Sequence, residues 1–223
     1  MERVEKKVSR CVILSAGPVE DPSCLRSLLR PDDWFVAADG GWTLAQELGV
    51  SVSLLVADFD SLPLRVTAED TEVVRLPVEK DWTDTMAAAM EGLRRGFREF
   101  LLLGGTGGRL DHTMANLAVL YYLLLHGAHA VMADEHNRVW MMLPGSYRIE
   151  PEEGYKFSLF PYAGEVTGLT ERQAYYPLNN ASLTPDNTLG VSNEFLCDPV
   201  QKCLLPAEIS FETGVLLIFL SKD

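Results

Sequence analysis

The chain has 223 residues, 47% of them hydrophobic and 23% charged. That is the make-up of a globular protein with one large or two small cores, and it excludes collagen-like, coiled-coil and disordered classes. With 19 basic against 32 acidic residues the net charge is −13 and the pI about 4.7. A nucleic-acid backbone or an anionic membrane is repelled on average by such a chain, so neither is an expected partner.

An anionic substrate needs a divalent cation or a local cluster of donors to reverse the sign at its site. The segment from Met1 to Arg10 alternates charges and lacks the apolar run and small-residue cleavage site of a secretory leader. The longest apolar run, Leu117 to Leu125, is about half the roughly 20 residues of a membrane helix. Cys11, Cys24, Cys197 and Cys203 form no CxxC pair and read as reduced, structural cysteines. A cytoplasmic protein is the expectation.

Short, β-rich apolar runs occur at Cys11 to Leu14, Trp34 to Ala38, Leu54 to Ala57, Val73 to Leu76, Phe100 to Leu103 and Ala130 to Ala133. Gly, Asp or Pro bound them, as they bound buried parallel strands. Helical patterns lie between. Met86, Met90, Leu93 and Phe97 recur every three or four residues, with Thr83 and Asp84 as N-cap candidates and Gly96 near the stop. Asp111 to His126 reads as a second helix, apolar on several faces and expected to be largely buried. Strands alternating with helices predict an α/β, doubly wound, mostly parallel sheet over residues 1–137.

After Asn137, Gly and Pro punctuate short alternating runs at Val139 to Leu143, Tyr147 to Ile149, Tyr155 to Phe160, Gly164 to Leu169, Glu208 to Glu212 and Val215 to Leu220. This texture predicts a small antiparallel β domain over residues 138–223.

Acids gather after three successive predicted strands: Asp39; then Asp58 and Asp60; then Asp81 and Asp84. Open α/β sheets place their ligands at such strand ends. One acid after a strand is ordinarily a turn former or helix cap. Five on one rim repel one another unless a cation neutralises them, and an oxygen-only ligand set suits Mg²⁺.

The run Gly104-Gly105-Thr106-Gly107-Gly108-Arg109-Leu110-Asp111-His112 follows a predicted strand and opens the long helix. It matches neither GxGxxG nor the P-loop pattern. Its physics is nonetheless that of an anion cradle: glycines expose backbone N–H groups, a helix N-terminus adds positive potential, and Arg109 can hold two oxygens. His112 reads as a phosphate donor, an acid–base group or a cap. Asn116, one turn on, shares its side of the helix. The methionines at 86, 90, 132, 141 and 142 read as core, and Trp82 as a lid or as packing.

In the second domain, Tyr175 to Asn180 and Thr188 to Phe195 combine hydroxyls, amides and aromatic faces. They read either as plain loops or as a pocket for a neutral-to-cationic heterocycle.

Ala38-Asp39-Gly40-Gly41, Asp58-Phe59-Asp60-Ser61, Glu79-Lys80-Asp81-Trp82-Thr83-Asp84, Gly104 to Asn116 and Tyr176 to Phe195 together resemble the thiamine pyrophosphokinase family in its bacterial form. Two departures stand out. Ala57 occupies a position usually held by glycine, and Thr170 to Tyr176 differs from the usual Gly-Leu-Lys-Tyr run.

The resemblance implies an α/β catalytic domain, a C-terminal β-sandwich that binds thiamine, and Mg²⁺-dependent pyrophosphoryl transfer from ATP to the thiamine hydroxyl. It also implies a homodimer whose thiamine sites lie between the catalytic domain of one subunit and the β domain of the other. Asp39, Asp58, Asp60 and Asp84 match the family's acidic positions, the last three as metal ligands. Thr83, Asp81, Gly107, Gly108, Arg109, Asp111, His112 and Asn116 fall on the nucleotide side, and Tyr176, Ser192 and Asn193 on the thiamine side. A pyrophosphokinase for a hydroxymethyl pterin and a non-catalytic nucleotide or thiamine sensor are the alternatives.

Overall fold

The structure, a computed structural model, describes residues 9–58, 71–77, 79 and 81–223. It divides into two compact units, Met1–Glu135 and His136–Asp223.

The first unit is built on β1 (Cys11–Leu14), β2 (Trp34–Ala38), β3 (Leu54–Ala57), β4 (Glu72–Arg75), β5 (Glu99–Leu103) and β6 (His129–Ala133). They lie in the order β4-β3-β2-β1-β5-β6, and every pairing is parallel. β1 and β3 are buried along their whole length, which explains their unbroken apolar sequence. The observed starts of β5 and β6 lie one residue before the expected ones, and β4 is shifted by one.

Among the described residues four α-helices accompany this sheet: α1 (Pro22–Leu25), α2 (Gly41–Leu48), α3 (Asp84–Arg94) and α4 (Leu110–Leu125). The sequence pattern had not singled out α1 or α2. Thr83 caps α3, its hydroxyl accepting from Met86 N at 3.2 Å. The face of α3 that meets the sheet differs from the expected one. Thr85, Ala88, Ala89 and Gly92 are buried, while Met86 and Met90 are half-buried.

The reason is the closeness of approach. A Cβ on Gly92 would lie 2.6 Å from Phe100 Cε1, so the small-residue stripe is the one that fits. Met132 and Met141 are core residues, whereas Met142 is only half-buried. α4 buries one face, through Asn116, Leu117, Val119, Leu120 and Leu123. Leu110, Met114 and Leu125 are exposed, which corrects the expectation of a helix buried on several sides.

The second unit contains β7 (Asn137–Met142), β8 (Gly145–Ile149), β9 (Lys156–Arg172), β10 (Leu178–Leu183), β11 (Ala207–Phe211) and β12 (Thr213–Ser221). β9 is one strand of 17 residues where two were expected. Its first part pairs with β12, which pairs with β7; its second part pairs with β10 and with β11, which pairs with β8. The register against β12 shifts between Thr213 and Val215, opposite Ala163 and Gly164, both at positive φ. Such a bulge bends one strand so that it serves two sheets.

The core of the second unit joins Phe157 and Leu159 of β9 to Ile209 of β11 and to Leu216, Ile218 and Leu220 of β12. β10 emerges from a stretch whose sequence reads as loop. Among the described residues no helix is long and apolar enough to cross a membrane.

Candidate active site

The strand order places β1 between β2 and β5, so chain connections leave in opposite directions on either side of β1 and β5. Open α/β sheets form their ligand crevice at such a switch point. A cleft of about 290 Å³ lies there. Ser15 to Pro18 after β1 line one side and Gly104 to Gly107 after β5 the other; Ala38, Asp39, Thr83, Asp84, Thr85, Arg109, His112 and Asn116 complete it.

Two backbone segments nearly touch at the floor. Gly17 N donates to Gly104 O at 2.9 Å, and a Cβ on Gly17 would lie 2.3 Å from that oxygen. A side chain at this position has no room. Ser15 Oγ and Thr85 Oγ1 share a buried hydrogen bond of 3.0 Å, which ties β1 to the start of α3. Gly107 and Gly108 adopt φ of 80° and 59°, left-handed conformations that turn the loop into α4.

Asn116 holds the loop from behind. It is buried, and its Nδ2 donates to Gly105 O at 2.7 Å. Thr106 Oγ1 donates to Asp134 Oδ2 beyond β6. Asn116 therefore shapes the glycine loop with its amide.

α4 begins at Arg109 without a side-chain hydrogen bond to cap it. Of the first-turn N–H groups, that of His112 meets the Asp111 carboxylate, and the helix N-terminus adds positive potential. Arg109 forms a two-bond ion pair with Asp111, which also accepts from His112 N at 3.0 Å. The guanidinium holds the Asp111 carboxyl down at about 2.

Asp39, directly after β2, and Asp84, the first residue of α3, both line the cleft. Asp39 sits at φ 45° with its N–H bonded to Val56 O of β3 at 2.8 Å. A non-glycine residue in that region is uncommon and concentrates at functional sites. Asp84 opens α3 and so places its carboxylate at a helix N-terminus. Asp58 follows β3, half-buried and outside the cleft lining, and Asp81 is exposed outside it too.

Asp60 and the rest of the expected Asp-Phe-Asp-Ser motif after Asp58 lie outside the described residues. Among the described residues no cluster of three or more His, Cys, Asp or Glu could hold a metal ion. The donor set of the two cleft carboxylates, Asp39 and Asp84, is of the all-oxygen kind that suits Mg²⁺, which takes one or two protein carboxylates and completes its shell with other oxygens.

Trp82 does not line the cleft. It borders an apolar hollow with Val74, Leu76, Met90 and Tyr122. The contribution of Ser15 to Pro18 was not recognised in the sequence. Its signal was a Ser-Ala-Gly-Pro run directly after the first predicted strand.

In the second unit, Tyr175 and Tyr176 are exposed, their rings in edge contact with centroids 4.8 Å apart. Ser192 is exposed at φ 58°, and its N–H donates to Ser158 Oγ at 2.9 Å. Asn193 faces inward. Only 5% of it is exposed, and its amide bonds within the unit. Oδ1 accepts from Tyr176 N at 3.0 Å and Glu194 N at 2.9 Å, while Nδ2 donates to Tyr176 O at 2.9 Å and Glu171 Oε2 at 2.7 Å. Of the three residues expected on the substrate side, Tyr176 and Ser192 are presented to solvent and Asn193 braces the backbone of Tyr176.

Residues 25–132 match the family described as thiamin pyrophosphokinase, catalytic domain. Residues 146–216 match thiamin pyrophosphokinase, vitamin B1 binding domain. The chain is 28% identical to the thiamine pyrophosphokinase of Bacillus subtilis over 216 residues, covering 95% of this chain and 98% of that one. The crystal structure of a Bacillus subtilis thiamine pyrophosphokinase superposes with a TM-score of 0.85 at 27% identity, covering 96% of this chain and all of the other. The Geobacillus thermodenitrificans thiamin pyrophosphokinase gives 0.80 at 30% identity, with 96% and 98% covered.

Proposed function

The chain belongs to the thiamin pyrophosphokinase family, and on that premise we propose that it transfers the β,γ-pyrophosphoryl group of ATP to the hydroxyl of thiamine. The hydroxyl oxygen bonds to the β-phosphorus, the bond between that phosphorus and the oxygen bridging it to the α-phosphate breaks, and AMP leaves with the bridging oxygen. The observation that carries this reading is the cleft at the β1/β5 switch point, where the glycine loop, the α4 N-terminus, Arg109 and the carboxylates of Asp39 and Asp84 meet.

Transfer of this kind needs positioning and charge neutralisation more than a covalent nucleophile. The backbone of Gly104 to Gly108 and the first turn of α4 receive the phosphates, with Arg109 and His112 as side-chain donors. Asp111 orients the Arg109 fork. Asp84 and Asp39, with the sequence-expected Asp58 and Asp60, are the residues that would hold Mg²⁺. When bound, the ion neutralises phosphate charge and favours departure of AMP. A carboxylate of this set takes the hydroxyl proton.

Tyr176 and Ser192 are the thiamine-side groups of this proposal. The protein acts as a homodimer, with each thiamine pocket shared between the catalytic unit of one subunit and the β unit of its partner. The exposed apolar residues of the β unit, Tyr175, Leu189, Val191 and Leu196, support burial against another surface. Four free cysteines support a reducing compartment, the cytoplasm.

The test is AMP release from ATP and Mg²⁺ with thiamine or a hydroxymethyl pterin as acceptor. Thiamine-dependent AMP and thiamine diphosphate are the expected products. Release with the pterin alone identifies the other alcohol as substrate, and no release with either leaves a binding protein.

A further inference from the structure

Glu171 is 1% exposed, in a strand whose neighbours on that face are apolar. It pairs with Leu178 of β10 and with Ile209 of β11. One carboxyl oxygen, Oε2, accepts from Asn193 Nδ2 at 2.7 Å; the other, Oε1, is buried without a hydrogen-bond partner. A buried carboxyl with one oxygen unsatisfied is costly, and a core position in a sheet is ordinarily apolar.

The bond to Asn193 is decided by geometry. Tyr176 N and Glu194 N both donate to one end of the amide, so that end is the oxygen, and the NH₂ must point at Glu171 and Tyr176 O. Asn193 also pairs its backbone with Phe157, through bonds of 3.0 and 2.8 Å. Glu171 thus takes the second N–H of the amide that holds the backbone of Tyr176, beside the main-chain bond of Tyr175 N to Glu194 O at 2.9 Å.

We infer that Glu171 is a positioning residue for the substrate side of the β unit, acting through Asn193 on Tyr176. This rests on the proposed function only in taking Tyr176 as part of the thiamine side. Among the described residues no charged group faces it. Arg172 is the next residue along the strand, and with its pairing partner Glu208 it lines the opposite, polar face of the sheet with Arg148. Glu194 holds Lys156. Burial is what pushes the Glu171 carboxyl up to about 7, against the smaller opposing effect of its bond to Asn193. Near neutrality its ionisation places an uncompensated charge behind the Asn193 amide.

The experiment measures AMP release from pH 6 to 8 with the wild type, Glu171→Gln and Glu171→Leu, together with amide exchange at Tyr176 and Glu194. For the wild type the thiamine KM changes across pH 7, where the bond from Asn193 passes from a neutral to a charged acceptor, while the ATP KM does not. Glu171→Gln, which accepts the same bond and never ionises, abolishes the change. Glu171→Leu strands a buried N–H of Asn193 and raises the thiamine KM at least about fivefold at every pH, with kcat and the ATP KM within about twofold. It also speeds exchange at Tyr176 and Glu194 by at least about fivefold by the same argument.

A Gln variant that keeps the wild-type pH profile, or a Leu variant with unchanged thiamine KM, overturns the inference. If Glu171→Leu does not fold, the Gln profile decides. If the wild type releases no AMP, the functional reading fails and exchange decides for Glu171 alone: unchanged exchange at both amides in Glu171→Leu overturns the positioning role, or in Glu171→Gln between pH 6 and 8 if the Leu variant does not fold.

Discussion

Arg109 and Asp111 form a two-bond ion pair at the entrance to α4, with Nε 3.1 Å from Oδ1 and Nη2 bonded to Oδ2. Both side chains are largely exposed, so the pair adds little to stability. Its consequence is orientation: the guanidinium plane is set beside the first turn of α4, where phosphate oxygens are expected.

Arg109→Ala is therefore expected to raise the ATP KM about tenfold or more, since a bidentate charge-assisted contact is lost. The thiamine KM and the melting temperature stay near wild type. Asp111→Asn leaves the charge on Arg109 but loosens its fork, and gives a smaller rise. Initial-rate kinetics with each substrate varied check both, and an unchanged ATP KM in Arg109→Ala removes that residue from the site.

Asp84→Asn and Asp39→Asn are each expected to lower turnover at least about 100-fold, because each takes a negative oxygen from a site that must neutralise phosphate charge. Far-UV circular dichroism should show intact folding. Activity titrated with Mg²⁺ is the measurement. Near-normal turnover at limiting Mg²⁺ excludes the substituted residue as a ligand.

Glu171 carries a pH-dependent stability of definite sign. Its carboxyl is raised from 4.5 to about 7 in the folded chain, so the native state holds the proton where the unfolded chain has released it. The stability from this group is complete below pH 4.5 and is lost as pH rises through 7, at up to about 1.4 kcal/mol per pH unit. Glu171→Gln does not titrate. Its melting temperature relative to wild type should climb from pH 5 to 8 and level off above. A constant difference across that range refutes the shift.

Assembly has a complementation test. If each thiamine pocket draws on two subunits, Asp84→Asn chains mixed with chains blocked at the exposed turn by Ser192→Trp form heterodimers in which one pocket carries both lesions and the other neither. Activity should return to at most about half of wild type per heterodimer, by that symmetry. Sedimentation must show dimers and subunit exchange. Exchange without recovered activity places each pocket within a single chain, and a monomeric protein disposes of the shared pocket altogether.

The parallel strands, the N-cap at Thr83 and the glycine turn from Gly104 to Gly108 into α4 were legible in the sequence because each depends on neighbours in the chain. A buried strand needs a short apolar run, a cap needs a hydroxyl three residues before an open N–H, and a left-handed turn into a helix needs glycines. Strand order is decided otherwise. Parallel strands can be stacked in many sequences, and only the packed sheet sets β1 beside β5, so that Gly17 meets Gly104 and Ser15 to Pro18 enter the cleft. Closeness of approach likewise chose Ala88 and Gly92 over Met86 and Met90 as the buried face of α3. Asn193 was legible as a motif residue, yet its inward turn was not. An amide turns inward only where buried donors and acceptors await it, and Tyr176 and Glu171, 17 and 22 residues away, reach Asn193 only through the tertiary pairing of Asn193 with Phe157 and of Ala174 with Phe195.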